Sequence, residues 1–576
     1  MGMTSEMHAA GSTFWNRLEE ISRTTPNREA IVHWVSGEAP HRWCYSDLVN
    51  AAEEIALSLV RRGIRRGDVC AIIMRHHAWF YPLYLAVVCA GAIPAVLAYP
   101  NARLHPDKFR QGIRGMCARS GLDWILTQRD LEETIAPLAH GEASTIKGIC
   151  FPLEWAHGQT PDTDALTYLK QVHASVGPND PLLLQHSSGT TGLQKPVLLS
   201  HRAVLSHIRL YGQTIRLCEN DKIVSWLPLY HDMGLIAAFY LPLASGVASV
   251  QMDPFEWVIV PSILLEAISR EKGTLCWLPN FAFNLLAEKI RDEDLEGINL
   301  ASLRMAINCS ETVRFDSIEK FGRRFASRGL RPKAVSSCYA MAETTFAVTQ
   351  TPPGEEVSVL YVDRESLSCG EVKAVRDGPG AKACVSSGKL IGGCSIGIED
   401  GRGDALEDDR VGEVVIRSVS MFDGYRNYPE KTAEVMRSGW YRSGDYGFRH
   451  GKDYYIVGRK KDIIIVAGRN IYPEDIEDAV GRVGGVIPGR VVACGEEDVE
   501  TGSEKVIVIA ETLVEDEEQK EKLRMDVVKA GMDMDVSIGR VCLVPPRWLI
   551  KSSAGKLSRK ANRERILDSD HILATR

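Results

Sequence analysis

His186-Ser187-Ser188-Gly189-Thr190-Thr191-Gly192-Leu193-Gln194-Lys195 stands between two apolar runs, Leu182 to Leu184 before it and Val197 to Ser200 after it. Both runs are short and aliphatic, as strands buried in a sheet are, so the segment reads as a loop between strands. Two glycines free its backbone to wrap an anion. The hydroxyls of Ser187, Ser188, Thr190 and Thr191 offer short donors, and Lys195 adds a cation. That donor set suits a polyphosphate, with ATP the natural candidate. The spacing departs from G-x-x-x-x-G-K-[ST], because Leu193 and Gln194 separate Gly192 from the lysine. Taken alone, the loop also fits a plain Ser/Gly linker.

Outward from this loop, helical patterns alternate with aliphatic strands over most of the chain, which predicts an α/β protein with largely buried sheets. A helix is expected over Tyr45 to Arg62 and a strand over Val69 to Met74. The run from Trp79 to Pro100 is long enough to cross a bilayer. Gly91 and Pro94 punctuate it, so it reads better as a buried helix, Pro82 to Cys89, turning into a core strand, Ala95 to Ala98. After Gly458 the texture changes to a charged turn, an aliphatic strand and acidic helices around Glu474 to Val480 and Glu515 to Val528. A domain boundary is expected there, dividing the chain into 1–458 and 459–576.

The chain's 576 residues exceed the ~250–300 at which one hydrophobic core stops growing. With 68 basic against 75 acidic residues and no arginine-rich block, nothing favours nucleic acid or an anionic membrane as partner. The 14 cysteines lie scattered without C-x-x-C pairs, as reduced thiols do. Residues 1–11 lack the layout of an export signal, and Glu6 stands where a myristoylation signal wants Ser or Thr, so a cytoplasmic location without stable membrane insertion is expected.

Further downstream, Ser443-Gly444-Asp445 can present one carboxylate to vicinal hydroxyls, as ribose recognition requires, although an Asp in a turn also makes Asx bonds. Arg459-Lys460-Lys461-Asp462 follows, then Val466 to Glu477 in the order strand, glycine, helix. Near the end, Ser553-Ala554-Gly555-Lys556 also spells S-x-x-K, but the S-D-N and K-T-G elements of serine-acylating enzymes do not follow it.

Together these segments resemble the adenylate-forming superfamily of acyl-CoA synthetases, luciferases and nonribosomal-peptide adenylation domains. The matching elements, in order, are the Ser/Thr/Gly loop, Tyr339-Ala340-Met341-Ala342-Glu343, Ser443-Gly444-Asp445, Gly458 to Glu477, and Ser552 to Leu557. The resemblance implies a large N-terminal α/β domain with stacked sheets that binds ATP and a carboxylic acid. It also implies a small mobile α+β C-terminal domain hinged at Lys461. By the same resemblance Tyr339, with Ala340 beside it, would stack on adenine. Asp445 would hold the ribose with help from Arg459, and Glu343 would hold Mg²⁺ against the phosphates. Lys195 and Thr190 would act with Ser187, Ser188, Gly189, Thr191 and Gly192 on the phosphates. Lys556 would bridge the acid's carboxylate and the α-phosphate.

Within the superfamily the chain looks most like the fatty acyl-AMP ligases, which pass the acyl group to the phosphopantetheine of an acyl carrier protein. Trp226-Leu227-Pro228-Leu229-Tyr230-His231-Asp232-Met233-Gly234 resembles that branch's LPxYHDMG wording, and implies that Trp226, His231, Asp232 and Met233 line the acid's pocket. Without the resemblance, His231-Asp232 would read equally as a helix N-cap beside a buried imidazole. Asn308 to Val313 partly matches an adenine-side strand end and places Ser310 there, and residues 352–374 resemble the branch's extra insertion. Lys195 instead looks more like an acyl-CoA synthetase. The alternatives are therefore transfer to free CoA and, outside catalysis, an inactive nucleotide-binding scaffold.

Overall fold

The computed structural model describes residues 12–100, 115–116, 120–139, 144–155, 163–187, 195–466, 469–498, 503–551 and 556–574. At its centre lies a nine-stranded sheet. Its parallel strands are, in chain order, β1 (Glu29–Trp34), β2 (Lys222–Ser225), β3 (Ala248–Met252), β4 (Leu275–Leu278), β5 (Met305–Asn308) and β6 (Val335–Ala340). In space they run β6-β5-β4-β2-β3-β1, with antiparallel strands added at both edges. Nearly every residue of β2 to β6 is buried, which explains why these strands read as continuous apolar runs.

A second, four-stranded parallel sheet carries Val69–Ile73 at its interior and Ile93–Val96 at its edge. The strand expected at Ala95 to Ala98 thus starts earlier and contains Pro94, whose missing N–H an edge strand tolerates. Helix Tyr45–Arg61 buries Leu48, Ala52, Ile55, Ala56 and Leu59, spaced along one face. It packs against Phe80–Cys89, a helix apolar all round and buried on every side. Among the described residues no helix is long and apolar enough to cross a membrane.

One contiguous apolar cluster runs through the body from Phe14 to Tyr441. A separate cluster, from Ile464 to Ile538, lies under the C-terminal strands Val486–Asp498, Ser503–Thr512 and Ile538–Val544. Between them Val457, Ile463 and Tyr472 pack with Leu367 and Cys384. Two C-terminal helices matter for the site, α1 (Pro473–Gly481) and α2 (Arg559–Ala574). Residues 359–363 pair with 381–385 as a two-stranded antiparallel sheet that includes part of the expected insertion. The architecture is therefore the expected α/β one with a smaller α+β unit at the C-terminus.

Candidate active site

Polar side chains gather outside the carboxyl ends of β5 and β6, where parallel sheets leave a crevice for ligands. Tyr339 and Ala340 end β6, and the chain then turns through Ala342–Thr344 to present Glu343. The following residue, Thr345, has φ +71°, a strained value for a β-branched residue. It is held there by a hydrogen bond from its hydroxyl to the Ser420 carbonyl (2.8 Å), while the Glu343 carbonyl accepts from the Phe422 N–H (2.8 Å).

The Tyr339 hydroxyl donates to Asp445 Oδ2 (2.6 Å) and Arg459 Nε pairs with Asp445 Oδ1 (3.1 Å). Strand register brings the last two together, since Asp445 faces Arg459 across neighbouring antiparallel strands. Gly444, at φ +71°, and Ser443, whose hydroxyl accepts from the Asp445 N–H (3.0 Å), fix the carboxylate's direction. Burial, reinforced by the Asp445 charge, pushes the Tyr339 phenol well above its ordinary value, so it stays a donor. The Asp445 charge likewise holds the Arg459 guanidinium protonated.

Glu343 is 6% exposed and accepts from the Tyr425 hydroxyl (2.7 Å), which in turn accepts from Lys195 Nζ (3.2 Å). Burial lowers the Lys195 pKa, and the nearby Glu343 charge opposes that. Lys195 opens a strand, Lys195–Ser200, rather than ending the loop, because it pairs in register with Ser187. Ser187 closes the preceding strand; Ser188, Gly189, Thr190, Thr191 and Gly192 lie outside the described residues. Tyr425 is a member of this site that no sequence motif marked. Tyr425 lies in a two-residue strand with Gly424, and its partners are distant in the chain.

Just past the end of β5, the strand that neighbours β6, Lys556 Nζ donates to the Ser310 carbonyl. Ser310 has φ +73°, and its hydroxyl lies 3.5 Å from Met233 Sδ. Asp232 caps the helix Met233–Tyr240, which is wound as a π-helix, by accepting from the Met233 N–H (2.8 Å). Gly234 is required at this turn, because a Cβ there would stand 2.3 Å from the Pro228 carbonyl oxygen. Burial lifts the Asp232 carboxyl to about 6, against the pull of the Met233 N–H and Lys556. Burial and Lys556 push His231 down to about 4, so its imidazole is neutral at pH 7, and its Nε2 is buried without a partner among the described residues. Trp226 takes no part in this polar group: its ring stacks on Trp257 at 3.7 Å and 8°, with Phe281 at 6.1 Å. Lys461 lies in the exposed turn that follows Arg459, one residue before Asp462.

The chain matches the AMP-binding enzyme family over residues 18–426 and belongs to it. A Mycobacterium tuberculosis relative named "Probable long-chain-fatty-acid–AMP ligase FadD30" is 30% identical over 94% of this chain and 96% of its own length. The solved structure of a fatty acyl-adenylate ligase from L. pneumophila in complex with acyl adenylate and pyrophosphate is 26% identical, covers 98% of both chains and has a TM-score of 0.73. A structure from work on the fatty acyl-adenylate ligases of E. coli and L. pneumophila reaches a TM-score of 0.86 at 24% identity, covering 97% of this chain and 98% of its own, and has the same fold.

Proposed function

We propose that the protein activates a fatty acid with ATP as its acyl adenylate, releasing pyrophosphate, and passes the acyl group to the phosphopantetheine thiol of an acyl carrier protein. The observation that carries this reading is the reach of Lys556 to Ser310, just past the end of β5, beside the strand β6 whose end carries Tyr339 and leads on to Glu343. Asp445 takes the ribose hydroxyls, and Tyr339 lies against the base. Lys556 brings an ammonium to the carboxylate and the α-phosphate, so that a carboxylate oxygen forms its bond to phosphorus as the bond to pyrophosphate breaks. Lys195 offsets charge growing on the leaving group. His231, neutral, adds no repulsion to that cation.

Glu343 is a buried carboxylate beside the phosphate-side lysine, which fits a Mg²⁺ bound by one protein carboxylate and by phosphate oxygens. Among the described residues no group of three or more His, Cys, Asp or Glu could hold a metal by itself. Bound there, the ion would neutralise phosphate charge. The turn at Lys461 serves in this reading as the hinge between residues 1–458 and 459–576.

Acid-dependent ATP–pyrophosphate exchange tests the first step. Wild type should exchange with medium- or long-chain acids, and Lys556→Ala should lose at least ~100-fold. No exchange with any acid would leave a nucleotide-binding scaffold instead. Lys195 favours a second acceptor, free CoA. If acyl-CoA formed as readily as acyl-carrier product, the carrier-specific reading would fall.

A further inference from the structure

Resting on the reading above, we propose that Arg314 is a positioning residue for the adenylation step. It docks the C-terminal unit so that Lys556 meets Ser310. The stretch from Ser310 to Arg314 touches that unit twice. At one end the Ser310 carbonyl receives Lys556. At the other, Arg314 grips α1, donating to the Glu474 carbonyl (2.9 Å) and pairing with Asp478 (2.7 Å).

These two contacts close a circuit through the C-terminal unit. Arg559, the first residue of α2 and three residues after Lys556, pairs with the side chains of Glu474 (2.8 Å), Glu477 (2.7 Å) and Asp462 (2.9 Å). The lysine's segment is thereby tied to α1, the helix that Arg314 holds. On the body side the anchor is rigid, because the Arg314 N–H donates to Asn280 Oδ1 (3.2 Å), which also accepts from the Asn308 amide (2.9 Å). Arg559 is enclosed by carboxylates inside its own unit. Arg314 instead crosses between units with its side chain 29% exposed, so its grip can be broken without exposing a core. A guanidinium suits this double grip, offering one N–H to a carbonyl and another to a carboxylate.

The test separates the two half-reactions. Arg314→Ala should lower acid-dependent ATP–pyrophosphate exchange about tenfold. The same variant, given synthetic acyl adenylate, should discharge it to the acceptor thiol within about twofold of wild type, because that step does not need Lys556 at Ser310. Arg314→Lys, keeping one charge toward Asp478, should fall between. Hydrogen–deuterium exchange of the same proteins supplies a readout independent of turnover. Amides of 473–481 and 559–566 should exchange faster in Arg314→Ala, while those of β2 to β6 stay unchanged. Equal losses in both half-reactions, or unchanged exchange at 473–481, would overturn the positioning role. Absence of acid-dependent exchange in wild type would instead overturn the adenylation reading, with the amide-exchange result still deciding whether Arg314 docks α1.

Discussion

Elements inside the N-terminal body meet through large apolar rings, whereas the C-terminal unit meets that body largely through charge. Trp257, Trp277, Phe239 and Phe283 are all fully buried, and Phe283 packs on Phe321 at 4.8 Å between ring centres. Across the other interface run Arg314–Asp478 (2.7 Å), Arg482–Asp316 (2.6 Å) and Lys382–Asp475 (2.6 Å), all reaching α1 or its end, together with Lys556 on Ser310. Close to the junction Ile463 and Tyr472 join an apolar cluster with Leu367 and Cys384. Removing a ring from the body leaves a cavity that the core cannot fill. Parting an exposed ion pair lets water take its place at little cost. The contrast separates a cohesive scaffold from a contact that can open and re-form, as the proposed two-step reaction would require.

Acid should break the scaffold first. Burial depresses His33 to about 3 and His76, His186 and His201 to about 4, with repulsion from His76, His77 and His41 adding to the His33 shift. Each has a folded pKa below its unfolded value of about 6.5, so its stabilisation is complete above that pH. It is lost as pH falls toward 4, and can reach ~3 kcal/mol for one such residue. Asp232, raised to about 6, and Glu53, Glu256 and Asp423, also raised by burial, work in the opposite direction as pH falls, whereas His207, depressed to about 3, and His231, depressed to about 4, add to the histidine loss. The melting temperature of the body should therefore fall steeply from pH 6.5 to 4. A flat profile would show that these histidines are hydrated in solution.

Next in size, Phe283→Ala should cost ~3–5 kcal/mol in denaturant unfolding through the cavity it leaves. A loss under ~1 kcal/mol would mean that this part of the body relaxes freely and is less cohesive than its packing implies. The smallest effect belongs to the interface. Arg482 and Asp316 are 64% and 63% exposed, so Asp316→Ala should change global stability by less than ~1 kcal/mol. The same change should accelerate amide exchange in α1, as should raising salt to ~1 M, where screening acts within a few ångströms. If either treatment lowered the melting temperature by several degrees, the polar interface would be part of the scaffold after all.

Much of the fold lies open in local pattern. The helix expected at Tyr45 to Arg62 spans Tyr45–Arg61, and the acidic helix expected at Glu474 to Val480 spans Pro473–Gly481. A proline's meaning in a strand depends on whether that strand lies at an edge. Pro94 looked like a break and sits inside Ile93–Val96.

The sequence by itself determined the chemistry available: one carboxylate at Asp445, another at Glu343, cations at Lys195, Arg459 and Lys556, and the strand ends that carry several of them. Only the tertiary structure decided which of these meet. Tyr425 joins Lys195 to Glu343 from 82 residues beyond the glutamate, and Lys556 reaches Ser310 across 246 residues. Periodicity and turn residues encode what a segment does within a few residues of itself. The meeting of distant side chains depends on strand order, register and the docking of one unit on another, which no single segment contains.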